Sequence, residues 1–261
     1  MNYIGVDIGG TQVKIGIIDE RGTIGSQASY DVAFDGYDTP IIDTVADRLL
    51  FFMGENALSA EKLDGIGISA TGQISVKEGR VIGSAGHIKN WEGCCIRDHI
   101  KEIYPGPVTV MNDANCAALA EHWVGKAKGA TDAVIITIGT GVGGGIIANS
   151  EILCGIDGGA GEVGHFTIRN NGRLCSCGNR GCYEQYASMT ALVRMVRQAQ
   201  KAGKLKDSRM EGTIDGKTIF DAVGKDGAID AVINEWIDYV ADGLTGLIHI
   251  FNPQIVLVGG G

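Results

Sequence analysis

A short window of the chain, between Glu162 and Glu184, contains one histidine and three cysteines in the pattern H-x9-C-x-C-x4-C. Thiolates and a neutral imidazole form the ligand set of closed, tetrahedral Cys3His zinc sites. The predicted ligands are His165, Cys175, Cys177 and Cys182. Gly178 and Gly181 would supply the tight turns of such a loop. The alternative is a pair of surface thiols with two coincidental neighbours. The pattern favours a structural Zn2+ loop, which would also fix the two flanking carboxylates as acceptors for ligand hydroxyl groups.

Two glycine-rich segments each join a pair of short apolar runs. The first follows Asp7 and consists of Gly9, Gly10 and Thr11. The second runs from Gly139 to Gly145 and includes Thr140, Gly141 and Gly143. Backbone N–H groups and threonine hydroxyls in such turns can bind phosphate oxygens. Either segment alone is more often just the turn of a plain hairpin. Two of them in one chain favour a nucleoside triphosphate, although neither has the form of a P-loop or a dinucleotide fingerprint.

Asn112 and Asp113 lie between the two glycine-rich segments, where a predicted strand gives way to a predicted helix. One interpretation is a helix N-cap, a position that both residue types fill well. The other is chemical: Asp113 would accept the proton of a substrate hydroxyl that attacks a γ-phosphorus, and Asn112 would orient that substrate. The two interpretations are compatible, because a cap also holds a side chain rigidly.

Composition narrows the class of ligand. The chain has 261 residues, 44% of them hydrophobic, and a formal net charge of -9. This charge argues against a nucleic-acid partner, which binds through lysine and arginine, and predicts a small-molecule ligand. The sequence shows no signal peptide and no apolar run long enough to cross a membrane. Its odd number of cysteines, seven, fits a reducing cytoplasm better than a disulfide framework.

Hydrophobic periodicity predicts an alternation of strands and helices. The predicted strands are 3–7, 13–18, 65–69, 108–111, 133–138 and 255–258, and the predicted helices are 41–53, 114–123, 189–202 and 228–250. The polar stretch 201–216 is predicted to be a solvated loop. Because the unit of strand, glycine turn and strand occurs twice, we expect a duplicated α/β fold with a ligand cleft between two lobes, residues 1–112 and 113–261.

Taken together, these motifs closely resemble those of the ROK sugar kinases. The matching pieces span the chain: Asp7 to Thr11, Asn112 to Asn115, Gly139 to Gly145, Glu162 to His165, Cys175 to Glu184, and Asn252-Pro253 leading to the glycines at 259–261. The resemblance implies a duplicated ribonuclease H-like fold of the actin and hexokinase type, and ATP-dependent phosphorylation of a sugar. It also implies Mg2+ and a structural Zn2+.

The resemblance further assigns roles to individual residues. Asp113 would be the general base, and His165 would bind zinc with one ring nitrogen and the sugar with the other. The sugar-binding residues would be Asn112, Glu162, His165, Glu184 and Gly72. Asp7 would lie near the magnesium, and Gly9, Gly10, Thr11, Thr140, Gly141, Gly143 and Gly260 would bind the nucleotide.

The identity of the sugar stays open in the sequence. Residues 71–74 and Asn90-Trp91 resemble the glucose and N-acylmannosamine branches, and Trp236 to Pro253 resembles N-acetylmannosamine kinases. We expect phosphorylation at the 6-hydroxyl. The family often forms dimers, which makes a homodimer an expectation. Members of this family extend past the glycine triplet, so an incomplete C-terminal end is also expected. The alternative function is a non-catalytic, sugar-sensing protein related to the family's transcriptional repressors.

Overall fold

The computed structural model describes residues 2–83, 88–205 and 214–260. Eleven strands and seven α-helices occur within these residues. The strands are β1 (Asn2–Ile8), β2 (Gln12–Asp19), β3 (Ile24–Asp31), β4 (Gly65–Ala70), β5 (Gln73–Ser75), β6 (Arg80–Gly83), β7 (Val108–Asn112), β8 (Ala133–Ile138), β9 (Val142–Ala148), β10 (Glu151–Ile152) and β11 (Ile255–Gly259). The helices are α1 (Ile41–Glu55), α2 (Ile96–Ile103), α3 (Asp113–Trp123), α4 (Glu184–Ala187), α5 (Met189–Lys201), α6 (Gly216–Asp221) and α7 (Gly227–Phe251).

The first compact unit comprises residues 1–129 and 152–161. Its sheet has the strand order β3-β2-β1-β4-β7, in which β1 and β2 form an antiparallel hairpin and β4 and β7 run parallel to β1. Alternate residues of β1, Ile4, Val6 and Ile8, lie in the core with α1 and α2. The other face of β1 presents Tyr3, Gly5 and Asp7 to an open groove of about 750 Å³ that α3 also lines. Asp7 therefore projects away from the core.

The second compact unit comprises residues 130–151 and 162–261. Its sheet has the order β10-β9-β8-β11, with β8 and β9 antiparallel and β11 parallel to β8. The β8 residues Val134 and Ile136 are fully buried, and they pack with Tyr183 and with Leu247 of α7. A separate apolar cluster joins α5, α6 and α7.

Both sheets repeat one plan: an antiparallel hairpin whose first strand has a parallel neighbour on its other side. This plan confirms the predicted duplicated α/β fold. Each strand and helix predicted from the sequence is present, with its ends within two residues of the prediction. The division after residue 112 remains a prediction about domains.

Sequence analysis did not identify the short elements β5, β6, β10 and α4, nor β3, α2 and α6. Strand β3 is mostly exposed and polar, so it lacks the apolar alternation on which strand prediction depends. Helix α6 begins at Gly216, directly after the stretch predicted to be a loop, and residues 206–213 of that stretch lie outside the described residues. Among the described helices, none has the length and apolar character that spanning a membrane requires.

Candidate active site

The first glycine-rich turn joins β1 to β2 and is held from two sides. The Gly9 N–H donates a hydrogen bond to the Gln12 carbonyl at 2.9 Å. The Tyr37 hydroxyl donates to the Gly10 carbonyl at 2.7 Å. Thr11 is exposed, and its carbonyl accepts from the Val32 N–H at 2.9 Å. These bonds give the turn a defined shape before any ligand binds.

Asp7, at the end of β1, has a partner at each carboxylate oxygen. The Ser69 hydroxyl donates to Oδ1 at 2.8 Å, and Lys14 Nζ lies 3.9 Å from Oδ2. Sequence analysis missed both partners. The signal that identifies them is strand register, because Lys14 and Ser69 are the cross-strand neighbours of Asp7 in β2 and β4.

Asn112 occupies the N-cap of α3, as one of the two sequence interpretations predicted. Its Oδ1 accepts hydrogen bonds from the N–H groups of Ala114 and Asn115 at 2.9 and 3.3 Å. Its amide nitrogen donates to the Gly72 carbonyl at 2.9 Å. Gly72 has a φ of +97°, a conformation that favours glycine. The cap therefore ties the start of α3 to the turn after β4.

Asp113 is the first residue of α3, and its Oδ1 accepts a hydrogen bond from the Ala114 N–H at 2.8 Å. The carboxylate is exposed to solvent, yet surrounding protein atoms weaken its hydration. This partial desolvation raises the pKa of Asp113, and the negative charge of Asp7 adds to the rise. Hydrogen bonds from the Ala114 N–H and with the Asn112 side chain partly oppose it. A carboxylate that is both accessible and a stronger base than usual is suited to accept a proton.

The second glycine-rich turn, residues 139–141 between β8 and β9, lies against the Glu184 carboxylate. Glu184 Oε2 accepts from the Val142 N–H at 3.1 Å. A β-carbon on Gly141 would collide with the same carboxylate oxygen, so only glycine allows this approach. The Thr190 hydroxyl donates to the Thr140 carbonyl at 2.7 Å. Glu184, predicted only as a sugar ligand, therefore also supports the turn.

The four predicted zinc ligands come together in the second unit, with their donor atoms within 4.8 Å of one another. Cys175 Sγ lies 3.5 Å from His165 Nδ1, and Cys177 Sγ lies 3.6 Å from Cys182 Sγ. A tetrahedral zinc ion with Zn–S bonds of about 2.3 Å and a Zn–N bond of about 2.0 Å would space its ligands by roughly 3.5 to 3.8 Å. Both the donor set and the spacing therefore fit zinc.

The thiols of this cluster influence one another strongly. Burial raises the pKa of Cys175, but hydrogen bonds from Cys177, His165 and Cys182 outweigh burial and lower it to about 7. Burial and the neighbouring thiols raise the pKa of Cys182 to about 12. Gly178 and Gly181, with φ values of +88° and +82°, make the turns expected of them. The four other cysteines, Cys94, Cys95, Cys116 and Cys154, are free thiols outside the cluster.

A second layer of contacts orients the cluster. The Gln185 amide donates to Cys175 Sγ at 3.7 Å. Arg173 donates to the Gln185 carbonyl at 2.8 Å, and Arg194 donates to its side-chain oxygen at 3.2 Å. Both arginines therefore contact the residue that binds Cys175 and support the cluster through it.

The candidate residues divide between the two compact units. Those in the first unit are Asp7, Gly9, Gly10, Thr11, Gly72, Asn112 and Asp113. Those in the second are Thr140, Gly141, Gly143, Glu162, Glu184, the four cluster residues and Gly260. Glu162 is exposed and directly precedes the short 3-10 helix Val163–His165. Gly260 follows β11 with a φ of +132°, and its backbone packs against the Ile138 carbonyl at the end of β8.

Comparison with known proteins places this architecture among sugar kinases and related ATPases of the actin and hexokinase type. The model of the ROK family matches residues 3–261, and the chain belongs to the ROK family. It is 32% identical over 268 residues to a glucokinase of Thermotoga maritima, covering 100% of this chain and 82% of that protein.

Two further similarities bear on function. The crystal structure of a ROK family glucokinase from Streptomyces griseus, in complex with glucose and AMPPNP, is 34% identical, with a TM-score of 0.79. The match covers 100% of this chain and 83% of that one. The xylose repressor of Bacillus subtilis is 32% identical over 262 residues, which are 98% of this chain and 63% of the repressor.

Proposed function

We propose that this protein is an ATP-dependent sugar kinase that transfers the γ-phosphate to the 6-hydroxyl of glucose or of a related hexose such as N-acetylmannosamine. The observation that carries the proposal is the placement of Asp113. It is an accessible carboxylate of raised pKa, fixed at the start of α3, in the same compact unit as the turn that follows Asp7. Similarity to curated glucokinases over the whole chain supports it.

In the proposed reaction, Asp113 accepts the proton of the sugar hydroxyl as that oxygen attacks the γ-phosphorus. Asn112 orients the sugar. Its Oδ1 already accepts two backbone N–H groups and one amide N–H donates to the Gly72 carbonyl, so the second amide N–H is the group that it offers. Glu162, Glu184 and the His165 ring nitrogen that faces away from the cluster would bind other hydroxyls. The backbones of both glycine-rich turns would bind the nucleotide phosphates.

Two metals complete the proposal. His165, Cys175, Cys177 and Cys182 would hold a structural zinc ion, which leaves no open coordination position for chemistry. Asp7 would hold magnesium, either directly or through its water shell, since magnesium sites commonly combine one or two carboxylates with substrate phosphates. Magnesium supplies charge neutralisation on the transferred phosphoryl group. A cytoplasmic location and a homodimer remain predictions.

The proposal predicts ADP release from Mg-ATP that depends on one sugar of a small panel. The panel comprises glucose, N-acetylmannosamine, N-acetylglucosamine, mannose and fructose, and a coupled assay reports ADP. A single added or missing group on the sugar is expected to change kcat/KM by about 10- to 200-fold, so a clear preference should emerge. Without sugar, ADP release should stay at background.

The outcome also separates the kinase from the second candidate function. Similarity to the xylose repressor favours a sugar-sensing protein without catalysis as that candidate. Sugar binding by calorimetry with no ADP release from any sugar of the panel would support the sensor and contradict the kinase.

The raised pKa of Asp113 predicts an acid limb in the pH profile. Because the base must be ionised to accept a proton, kcat/KM should fall as the pH drops through the pKa of Asp113. The midpoint should lie above about 4, the ordinary value for aspartate. AMPPNP binding measured over the same range serves as the control. An acid limb at or below about 4, with nucleotide binding intact, would argue against Asp113 as the base.

A further inference from the structure

One row of residues crosses the first sheet at the level of Asp7. Strand pairing aligns Ser29, Lys14, Asp7, Ser69 and Met111 across five neighbouring strands. Cross-strand neighbours in register project from the same face of a sheet. The three central side chains, those of Lys14, Asp7 and Ser69, all line the open groove on that face.

The two contacts of Asp7 differ in kind. Ser69 is half-buried and makes a short, charge-assisted hydrogen bond of 2.8 Å to Oδ1. Lys14 is a looser partner, with side chains 67% and 49% exposed and 3.9 Å between Nζ and Oδ2. An exposed ion pair of this kind adds little to folding stability. The contacts of Lys14 and Ser69 are therefore better explained by their effect on the orientation and charge of the Asp7 carboxylate than by a contribution to folding stability.

The position of Asp7 poses an electrostatic problem. A carboxylate beside a phosphate-binding turn repels a nucleotide unless a cation offsets its charge, and the chain as a whole carries -9. A half-exposed carboxylate also rotates, whereas a metal requires its oxygens in a fixed orientation. The positive charge of Lys14 offsets the repulsion between Asp7 and the nucleotide. The hydrogen bond from Ser69 fixes the orientation of the Asp7 carboxylate.

We propose that Ser69 and Lys14 are positioning residues for the magnesium-nucleotide complex: Ser69 fixes the orientation of the Asp7 carboxylate, and Lys14 offsets its charge. Neither residue belongs to the motifs that carry the family resemblance. The inference rests on the proposed function, since it requires that the protein binds Mg-ATP through Asp7.

These two roles predict that the substitutions change AMPPNP affinity differently in the presence and absence of Mg2+. Ser69→Ala should weaken binding of Mg-AMPPNP by about tenfold, the effect typical of losing an outer-shell partner, and leave binding of AMPPNP in buffer without Mg2+ unchanged. Lys14→Met should weaken binding of metal-free AMPPNP by about three- to fivefold, because the charge of Asp7 then acts on the phosphates unopposed. A purely structural role would not produce this contrast.

Isothermal titration calorimetry on the purified protein, with and without Mg2+, tests the proposal. Ser29→Ala is the matched control: it removes a serine hydroxyl from the same row, but Ser29 contacts Gln12 and not Asp7. Ser69→Thr keeps the hydroxyl and should restore binding to within about twofold. Melting temperatures of all variants should agree with that of the unaltered protein.

Three results would overturn the inference. If Ser69→Ala binds Mg-AMPPNP as tightly as Ser29→Ala does, the Ser69 hydroxyl does not position Asp7. If Ser69→Ala loses the same factor of AMPPNP affinity with and without Mg2+, the role of Ser69 is structural only. Failure of the unaltered protein to bind Mg-AMPPNP would refute the proposed function itself, and with it this inference.

Discussion

Replacing Asp113 by asparagine is expected to reduce kcat by about 100- to 10,000-fold while sugar and Mg-AMPPNP affinities stay within about threefold. Asparagine has nearly the same shape and can accept the hydrogen bond from the Ala114 N–H, but its amide cannot take a proton from the sugar hydroxyl. Single-turnover kinetics with saturating Mg-ATP measures the loss on the chemical step itself.

Stability should not confound this result. The folded-state pKa of Asp113 is raised, so ionisation of this group disfavours folding as the pH rises through that pKa. A neutral residue removes that unfavourable effect, and the melting temperature of the variant at pH 7 should equal or exceed that of the unaltered protein.

Asp215→Asn provides the matched control for the substitution. Asp215 is an exposed aspartate at the N-cap of α6, where its carboxylate accepts from the Thr218 N–H, and asparagine fills a cap equally well. Its kcat should be unchanged. Turnover by Asp113→Asn at the rate of this control would refute the assignment of Asp113 as the base.

The parts of this molecule that sequence analysis identified are those encoded by local spacing. The Cys3His cluster is an example: its four candidate ligands lie within a span of 18 residues, and Gly178 and Gly181 indicate where the chain turns. The two hairpins are another, because apolar alternation interrupted by glycines specifies both strands and the turn between them.

The parts that sequence analysis missed depend on long-range pairing. Ser69 reaches Asp7 only because β4 pairs with β1 in one particular register, and a shift of one residue would turn Ser69 to the other face. Contact between Glu184 and the turn at Gly141 likewise joins residues 43 apart in the sequence. Neither contact leaves a pattern in the sequence near the residues involved.

The contact of Glu184 connects the Cys3His cluster to the turn proposed to bind the nucleotide. Cys182 and Glu184 are two residues apart, and Glu184 in turn accepts from the Val142 N–H beside the second glycine-rich turn. Gly164, next to the ligand His165, packs against the Val142 carbonyl. A metal that fixes the cluster therefore also fixes the backbone of the turn proposed to bind phosphate.

We accordingly expect Cys182→Ser to lower the melting temperature by roughly 6 to 12 °C and the zinc content from about one per chain to well below one. Cys182 is fully buried, and loss of one ligand from a closed site removes several kcal/mol of metal binding that is coupled to folding. Cys94→Ser is the control, because Cys94 is a partly buried thiol outside the cluster that packs against the core of the first unit. Its zinc content should be unchanged, as measured by atomic emission on unchelated protein.

The same variant tests whether the cluster supports the phosphate-binding turn. If the cluster holds Glu184 in place, Cys182→Ser should weaken Mg-AMPPNP binding at temperatures well below its melting point, whereas Cys94→Ser should not. Chelation of the unaltered protein should reproduce both effects, and re-addition of zinc should reverse them. Protein that contains no zinc before chelation would contradict the metal assignment. Loss of zinc without any change in nucleotide affinity would confine the cluster to a stabilising role, because the turn would then keep its shape without Glu184 being held in place.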